Sequence, residues 1–278
     1  MFLGGERFLL PMLTAKLLRK DVVMVFAGSG VKVAQAEKDS FYRVLRFLSR
    51  ANCALSDRII LYSERLIEEY GLERYRSKIS VATKHFLTLD TFKIQTSLKE
   101  RDDSVGYIGS LHELKGVPNF LSAIPKVLEK RDDIRFLIGG DGKLRGEVED
   151  YLSREDLGNR ASFIGWIPHE QLPKYLNQLK LLVLPSCTEG LPNIILEAMA
   201  CGTPVLATPV GAIPDVIRDG ETGFILEDNS PECIARNIIR VLNHPNLDDI
   251  AMNARSLTER EFSYEAAVEK YNKILSNF

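Results

Sequence analysis

The chain of 278 residues is poor in the residues that build metal centres and covalent frameworks: four cysteines, four histidines and one tryptophan. Cys53, Cys187, Cys201 and Cys233 form no C-x-x-C pair and no zinc-finger spacing, which excludes a disulfide framework or structural zinc site and leaves four reduced thiols. The histidines are scattered, so no metal cluster is expected. Apolar runs stop far short of the ~20 residues that a bilayer-spanning helix needs. At the N-terminus Glu6 and Arg7 precede an apolar run that is short and broken by Pro11, which does not fit a secretion signal. The expectation is a cytoplasmic protein, at most peripheral at the inner face of a membrane. A formal net charge of −2 supplies no global field for nucleic acid, and Lys16, Arg19 and Lys20 make only a small basic cluster. No nucleic-acid partner is expected.

What remains is ordinary folding material, 45% hydrophobic and 27% charged, with room for two modest domains. Beyond Asp103 a regular alternation sets in. Near-continuous apolar stretches at 105–108, 134–138, 161–164, 180–184, 204–207 and 223–226 read as strands. Helical patterns near 118–130, 143–154, 169–178, 192–201, 212–219 and 231–243 follow them. Such strands imply a parallel sheet covered on both faces. Pro125 falls inside the first helical pattern and predicts a kink. Earlier in the chain the pattern is shorter: helices at 8–18, 40–55 and 63–70, strands at 22–27 and 58–61. It begins abruptly, as if part-way through a domain, with no opening strand and Gly-rich turn. Residues 79–103 read as a linker, in which Phe92 is an anchor and His85 a solvated or capping residue.

One stretch organises the rest. In PSCTEGLPNIILEAMACG, from Pro185 to Gly202, a turn set follows the apolar strand and a helix then resumes with Pro192 in its first turn. The loop therefore sits at a strand's C-terminal end, where open α/β sheets bind ligands, and the helix N-terminus there favours anions. Glu197 falls among the apolar positions Ile194, Ile195, Ala198 and Met199, two turns below Glu189. On spacing alone Glu197 is an exposed helix carboxylate or a buried one that needs a partner. Cys187 reads as a small packed loop residue. Gly28-Ser29-Gly30 reads as a tight turn.

Glu189-Gly-Leu-Pro-Asn-Ile-Ile-Leu-Glu197, with Ala-Met-Ala-Cys-Gly202-Thr-Pro-Val after it, resembles the E-x7-E signature of family 4 retaining glycosyltransferases. The resemblance implies an α/β fold of two Rossmann-like domains facing each other, the type B architecture, with the first incomplete here. It implies a partial acceptor-side domain with linker over residues 1–100, a nucleotide-sugar-binding domain over 101–260, and a final helix at 261–278 that returns to the first domain. It also implies that Glu189 and the backbone of Gly190, Leu191, Pro192 and Asn193 contact the donor sugar. Glu197 would accept from the ribose hydroxyls, a role that suits an acceptor-only group.

Gly109-Ser-Leu-His-Glu-Leu-Lys115-Gly116 resembles the family's G-R-L-x-x-x-K-G loop, which holds the donor diphosphate. Lys115 carries over, Ser110 stands where an arginine is expected, and His112 is expected to point to solvent. In Ile138-Gly-Gly-Asp-Gly142 the resemblance brings Gly140 close to the nucleotide. Trp166 and Ile167 fall beside the base, although Trp166 alone reads equally as a packing residue.

The expected function is metal-independent transfer, with retention, of a sugar from a nucleotide-sugar donor to a glycan, lipid or small-molecule acceptor. Glu189 and Lys115 carry the catalytic roles, and no cofactor is needed beyond the donor as substrate. The alternative is a non-catalytic or partner-dependent nucleotide-sugar-binding subunit, suggested by Ser110 and the partial first domain. A sheet that starts at its middle further predicts self-association through residues 1–60 or a partner chain.

Overall fold

The computed structural model describes residues 2–4, 8–26, 28–82, 85–155, 157 and 159–276. Contacts divide the chain into two compact units: Met1–His85 with Thr188–Leu191 and Ala267–Phe278, and Phe86–Cys187 with Pro192–Ala266.

The first unit holds a parallel sheet of β1 (Phe2–Gly4), β2 (Val22–Val25), β3 (Arg58–Leu61) and β4 (Ile79–Val81), in that order. β1 corrects the expectation that no strand opens the chain. Three residues are too few to show a period, and the strand exists through its pairing, Phe2 opposite Val22 and Gly4 opposite Met24. Helices α1 (Leu9–Leu17), α2 (Gly30–Ala36), α3 (Tyr42–Leu55) and α4 (Arg65–Glu69) join these strands. Ser29 is the N-cap of α2, its hydroxyl accepting from the Lys32 amide at 3.3 Å, so the Gly-Ser-Gly turn is a helix entry. Of the predicted strand at 22–27, Ala27 lies outside the described residues. His85, expected in solvent or at a cap, is half-buried with its ring 4.9 Å from that of Tyr62.

The second unit is a six-stranded parallel sheet of β5 (Ser104–Ile108), β6 (Arg135–Gly139), β7 (Ala161–Gly165), β8 (Leu181–Leu184), β9 (Val205–Ala207) and β10 (Phe224–Ile225). Their order is β10-β9-β8-β5-β6-β7. Each strand predicted beyond Asp103 is present, its ends within a residue of the expectation. Its helices are α5 (Val117–Leu128), α6 (Arg145–Arg154), α7 (Leu172–Leu176), α8 (Asn193–Ala200), α9 (Ile213–Val216), α10 (Pro231–Leu242) and α11 (Leu247–Glu261); α12 (Tyr264–Leu275) follows, and from Ala267 onward it belongs to the first unit.

Packing explains why the sequence settles here. α5 buries Phe120, Leu121, Ile124 and Val127 beside Tyr107 and Phe136, and each large apolar side chain removed from water contributes roughly 1.5–3 kcal/mol. Pro125 has no N–H for the Leu121 carbonyl, and the Tyr151 hydroxyl donates to that carbonyl at 3.0 Å instead.

Lys93–Arg101, read from the sequence as linker, is pinned to this unit. Asn177 on the C-terminal edge of α7 accepts from the Gln95 amide at 2.7 Å and donates to the Lys93 carbonyl at 3.0 Å. Arg101 is 5% exposed. Its guanidinium donates to the carbonyls of Thr96, Leu179 and Cys201 at 3.0, 2.8 and 2.7 Å, and to the Thr203 hydroxyl at 2.8 Å. Burial lowers its pKa to about 10, which leaves it charged at neutral pH. Arg101→Met is expected to strand those acceptors and cost about 3 kcal/mol or more of stability in urea unfolding. A loss below ~1 kcal/mol would show that water satisfies them.

Candidate active site

The strand order places the chain reversal between β5 and β8: after β5 the chain moves outward to β6 and β7, then returns to lay β8 on the other side of β5. That is the topological switch point, and ligands of open α/β sheets bind beyond the strand ends there. Two helices start beside it. The loop after β5 leads through a 3-10 turn, Glu113–Lys115, into α5 with Gly116 as N-cap. The loop after β8 leads into α8 with Pro192 as N-cap. α8 begins at Asn193, later than the sequence suggests, and Pro192 caps it from an extended conformation with ψ 128°. The two N-terminal dipole ends give this corner a positive potential.

Main-chain bonds lock the loops of four strands into one surface. The Gly109 amide donates to Gly139 at 3.0 Å, Leu111 to Asp141 at 2.9 Å, Gly140 to Gly165 at 2.7 Å, and Cys187 to Leu114 at 2.8 Å. Glycine is required at two of these crossings. Gly116 has φ 71°, and a Cβ there would run into the Pro185 carbonyl; Gly140 has φ 134°, and a Cβ would run into the Gly109 carbonyl. Gly140 therefore has a packing reason to be glycine, whatever binds above it.

Lys115 lies half-buried at the entry to α5, and Ser110, in the same loop after β5, is exposed, its carbonyl accepting from the Tyr107 hydroxyl at 2.7 Å. His112 does not simply point outward: its Nδ1 accepts from the Leu114 amide at 3.2 Å and caps the 3-10 turn. Ile167 packs against Gly139. Trp166 follows the edge strand β7 and is 67% exposed, so sheet-edge packing does not describe it. Cys187, expected to be packed, is exposed, and its Sγ accepts from the Asn229 side chain at 3.2 Å. Gly190 and Glu189 are half-buried, Leu191 is buried and Asn193 exposed. Glu189, Gly190 and Leu191 belong to the first compact unit, while Pro192, Asn193 and Glu197 belong to the second.

Glu197 is the buried carboxylate of α8, 6% exposed among Ile195, Leu196, Ala198 and Met199. Its partner is His169, which nothing in the sequence pattern singled out. His169 opens the 3-10 turn after Pro168, and its Nε2 lies 3.0 Å from Glu197 Oε1. The imidazole also lies against Phe92, ring centres 5.2 Å apart, which gives the anchor Phe92 a place in the site. Burial raises the Glu197 pKa, and the His169 bond opposes that rise. The carboxylate is thus poorly solvated, with one oxygen engaged and the other free to accept.

The family model described as "Glycosyl transferases group 1" matches residues 102–244. The chain belongs to the group 1 glycosyl transferases. It is 31% identical over 201 residues to the alpha-D-kanosaminyltransferase of Streptomyces kanamyceticus, covering 70% of this chain and 52% of that one. The chain thus spans about half the length of the curated relatives it matches. Among solved structures, Anabaena HepE in complex with UDP and glucose superposes with TM-score 0.79 at 19% identity, over 99% of this chain and 78% of that chain. A sucrose-phosphate synthase from Thermosynechococcus elongatus superposes with TM-score 0.80 at 22% identity, over 99% and 72%. These likenesses agree with the α/β architecture expected from the sequence.

A raised carboxylate pKa in the folded state means that the folded protein binds more protons than the unfolded chain. Stability contributed by protonated Glu197 is then lost as pH rises above the unfolded carboxylate pKa. Glu197→Gln is expected to raise the thermal midpoint at pH 7, with the gain fading toward pH 4. A midpoint that falls at pH 7 would mean that the His169 bond outweighs the burial cost.

Proposed function

We propose that this chain binds a nucleotide-sugar donor at the β5–β8 switch point and transfers the sugar to an acceptor hydroxyl with retention and without a metal ion. The observation that carries the reading is the coincidence, at one corner of the sheet, of two helix N-termini, Lys115 and the buried carboxylate Glu197. The structures of HepE in complex with UDP and with UDP-glucose support a nucleotide sugar as donor.

Each role follows from the chemistry. Lys115 and the N-termini of α5 and α8 stabilise the charge on the departing diphosphate, where fixed cations and dipoles are most effective in a water-poor site. The free oxygen of Glu197 accepts from the ribose hydroxyls, while His169 fixes the carboxylate's orientation through the other. Trp166 and Ile167 flank the base, and Glu189 with the Gly190–Asn193 backbone holds the sugar. The sugar C1–O bond breaks with its electron pair leaving on phosphate. The acceptor hydroxyl then adds to C1 from the face that phosphate vacates, and its proton passes to a leaving phosphate oxygen.

A second reading, a donor-binding subunit without turnover of its own, is favoured by Ser110, which carries no charge where an arginine would assist the leaving group. Consumption of donor by the chain together with an acceptor panel decides between the two, since binding without turnover fits only the second. Exposed Leu10, Leu13 and Leu17 on α1 and Val44 and Phe47 on α3 support a peripheral placement at a membrane, which sedimentation with anionic vesicles tests.

Two outcomes check the assignments. Glu197→Gln should weaken nucleoside diphosphate binding by about tenfold, the equivalent of ~1.4 kcal/mol for a charge-assisted bond lost; equal affinity in calorimetry removes Glu197 from the ribose. Glu189→Ala should lose more affinity for the sugar nucleotide than for the bare diphosphate, and parallel losses would contradict its role at the sugar.

A further inference from the structure

The first unit contains a cavity of about 240 Å³ between α2, α3 and the segment from Glu68 to Tyr75, reaching Phe26 and Ser29 just beyond the end of β2. That volume lies just below the ~300–1,000 Å³ of pockets that hold drug-sized ligands, a size for a head group. α3 presents Tyr42, Arg46, Ser49, Arg50 and Cys53 to it, spaced i, i+4, i+7, i+8 and i+11 along one helix face. The apolar residues that α3 exposes, Val44 and Phe47, lie on the other side of the helix.

Four cations line this space. Arg46 and Arg50 come from α3, Lys32 from the first turn of α2, and Arg74 from the opposite wall, its guanidinium 5.2 Å from the Tyr75 ring centre. Several exposed arginines elsewhere take carboxylate partners, as Arg76 does with Glu64 at 3.4 Å and Arg145 with Glu149 at 3.1 Å. Among the described residues none of these four cations forms an ion pair, although Glu68 and Glu69 line the same cavity. Like charges converging on a concave space focus a positive field and attract an anion. Guanidinium forks match phosphate oxygens bidentately, and the buried hydroxyls of Ser29 and Ser49 add polar groups to the walls. Glu68 and Glu69, acceptors only, suit hydroxyls next to the anionic group.

We propose that this cavity binds a phosphate-bearing ligand, its phosphate held by Arg46 and Arg50 with Lys32 and Arg74 flanking. The anion site stands independently of the transferase reading. No bond is made or broken in the cavity itself.

The test titrates sn-glycerol 3-phosphate into the whole chain by calorimetry, as wild type, as Arg46→Gln/Arg50→Gln and as Lys115→Ala. The same proteins are sedimented with phosphatidylglycerol vesicles and with phosphatidylcholine vesicles. Wild type should bind a phosphate probe, the double glutamine variant should lose at least tenfold, and Lys115→Ala should retain the affinity. Arg46→Lys/Arg50→Lys, which keeps the charge, should recover part of it and guards against a folding defect in the glutamine protein. Binding of glycerol phosphate without vesicles assigns a soluble phosphate ester; vesicle binding lost with the double variant assigns a lipid headgroup. No affinity of wild type for either probe, or equal affinity in wild type and the glutamine variant, overturns the site. A panel of nucleoside diphosphates titrated in parallel separates the two readings: no affinity of wild type for any of them would sink the transferase reading alone, since the arginines would still hold phosphate.

Discussion

Everything at the candidate site depends on backbone meeting backbone at the C-terminal ends of the strands. The Gly116 Cα faces the Pro185 carbonyl and the Gly140 Cα faces the Gly109 carbonyl, with no room for a side chain between them. Amides of Gly109, Leu111, Gly140 and Cys187 then tie the loops of β5, β6, β7 and β8 to one another. A surface built this way is rigid because its groups are main chain, with no rotamers to order. It also presents helix N-termini in fixed directions, the property that preorganised anion sites need. Lys115 sits on the 3-10 turn that this arrangement fixes, between His112, which caps the turn, and Gly116, which ends it.

Glu197 shows what function costs in this fold. An apolar residue would pack at its place on α8, yet a carboxylate stands there with its pKa raised by burial and a single imidazole bonded to it. A buried acid with one oxygen engaged is destabilising by itself and is ready to accept hydrogen bonds from a ligand. His169 and Phe92 come from segments far apart in the chain, so the support for this group is tertiary.

That separation explains what could be read in advance. The strands beyond Asp103 were legible because they are buried on both faces and therefore run apolar without interruption, as β8 does with Leu181, Leu182, Val183 and Leu184. The glycine-rich loops and the Glu189–Glu197 spacing were legible because local backbone geometry and a resemblance both marked them. α11 was not read, since its buried stripe of Leu247, Ile250, Ala251, Ala254 and Thr258 is weakly apolar and set among charges. α2 is a short helix opened by Gly30, and β1 is three residues held by pairing. Arg101 and Asn177 gave no sequence signal, because their role lies in carbonyls and amides that only the fold brings near. His169 escaped for the same reason: one histidine without a spacing partner carries no pattern.

Hydrogen–deuterium exchange with and without a nucleoside diphosphate tests the central claim directly, because amides of the knitted loops are the proposed contact surface. Slowed exchange confined to residues 109–117, 139–142, 165–169 and 192–197 is the predicted result. Protection centred on α2 and α3, with those loops unchanged, would place the nucleotide in the first unit and contradict the account.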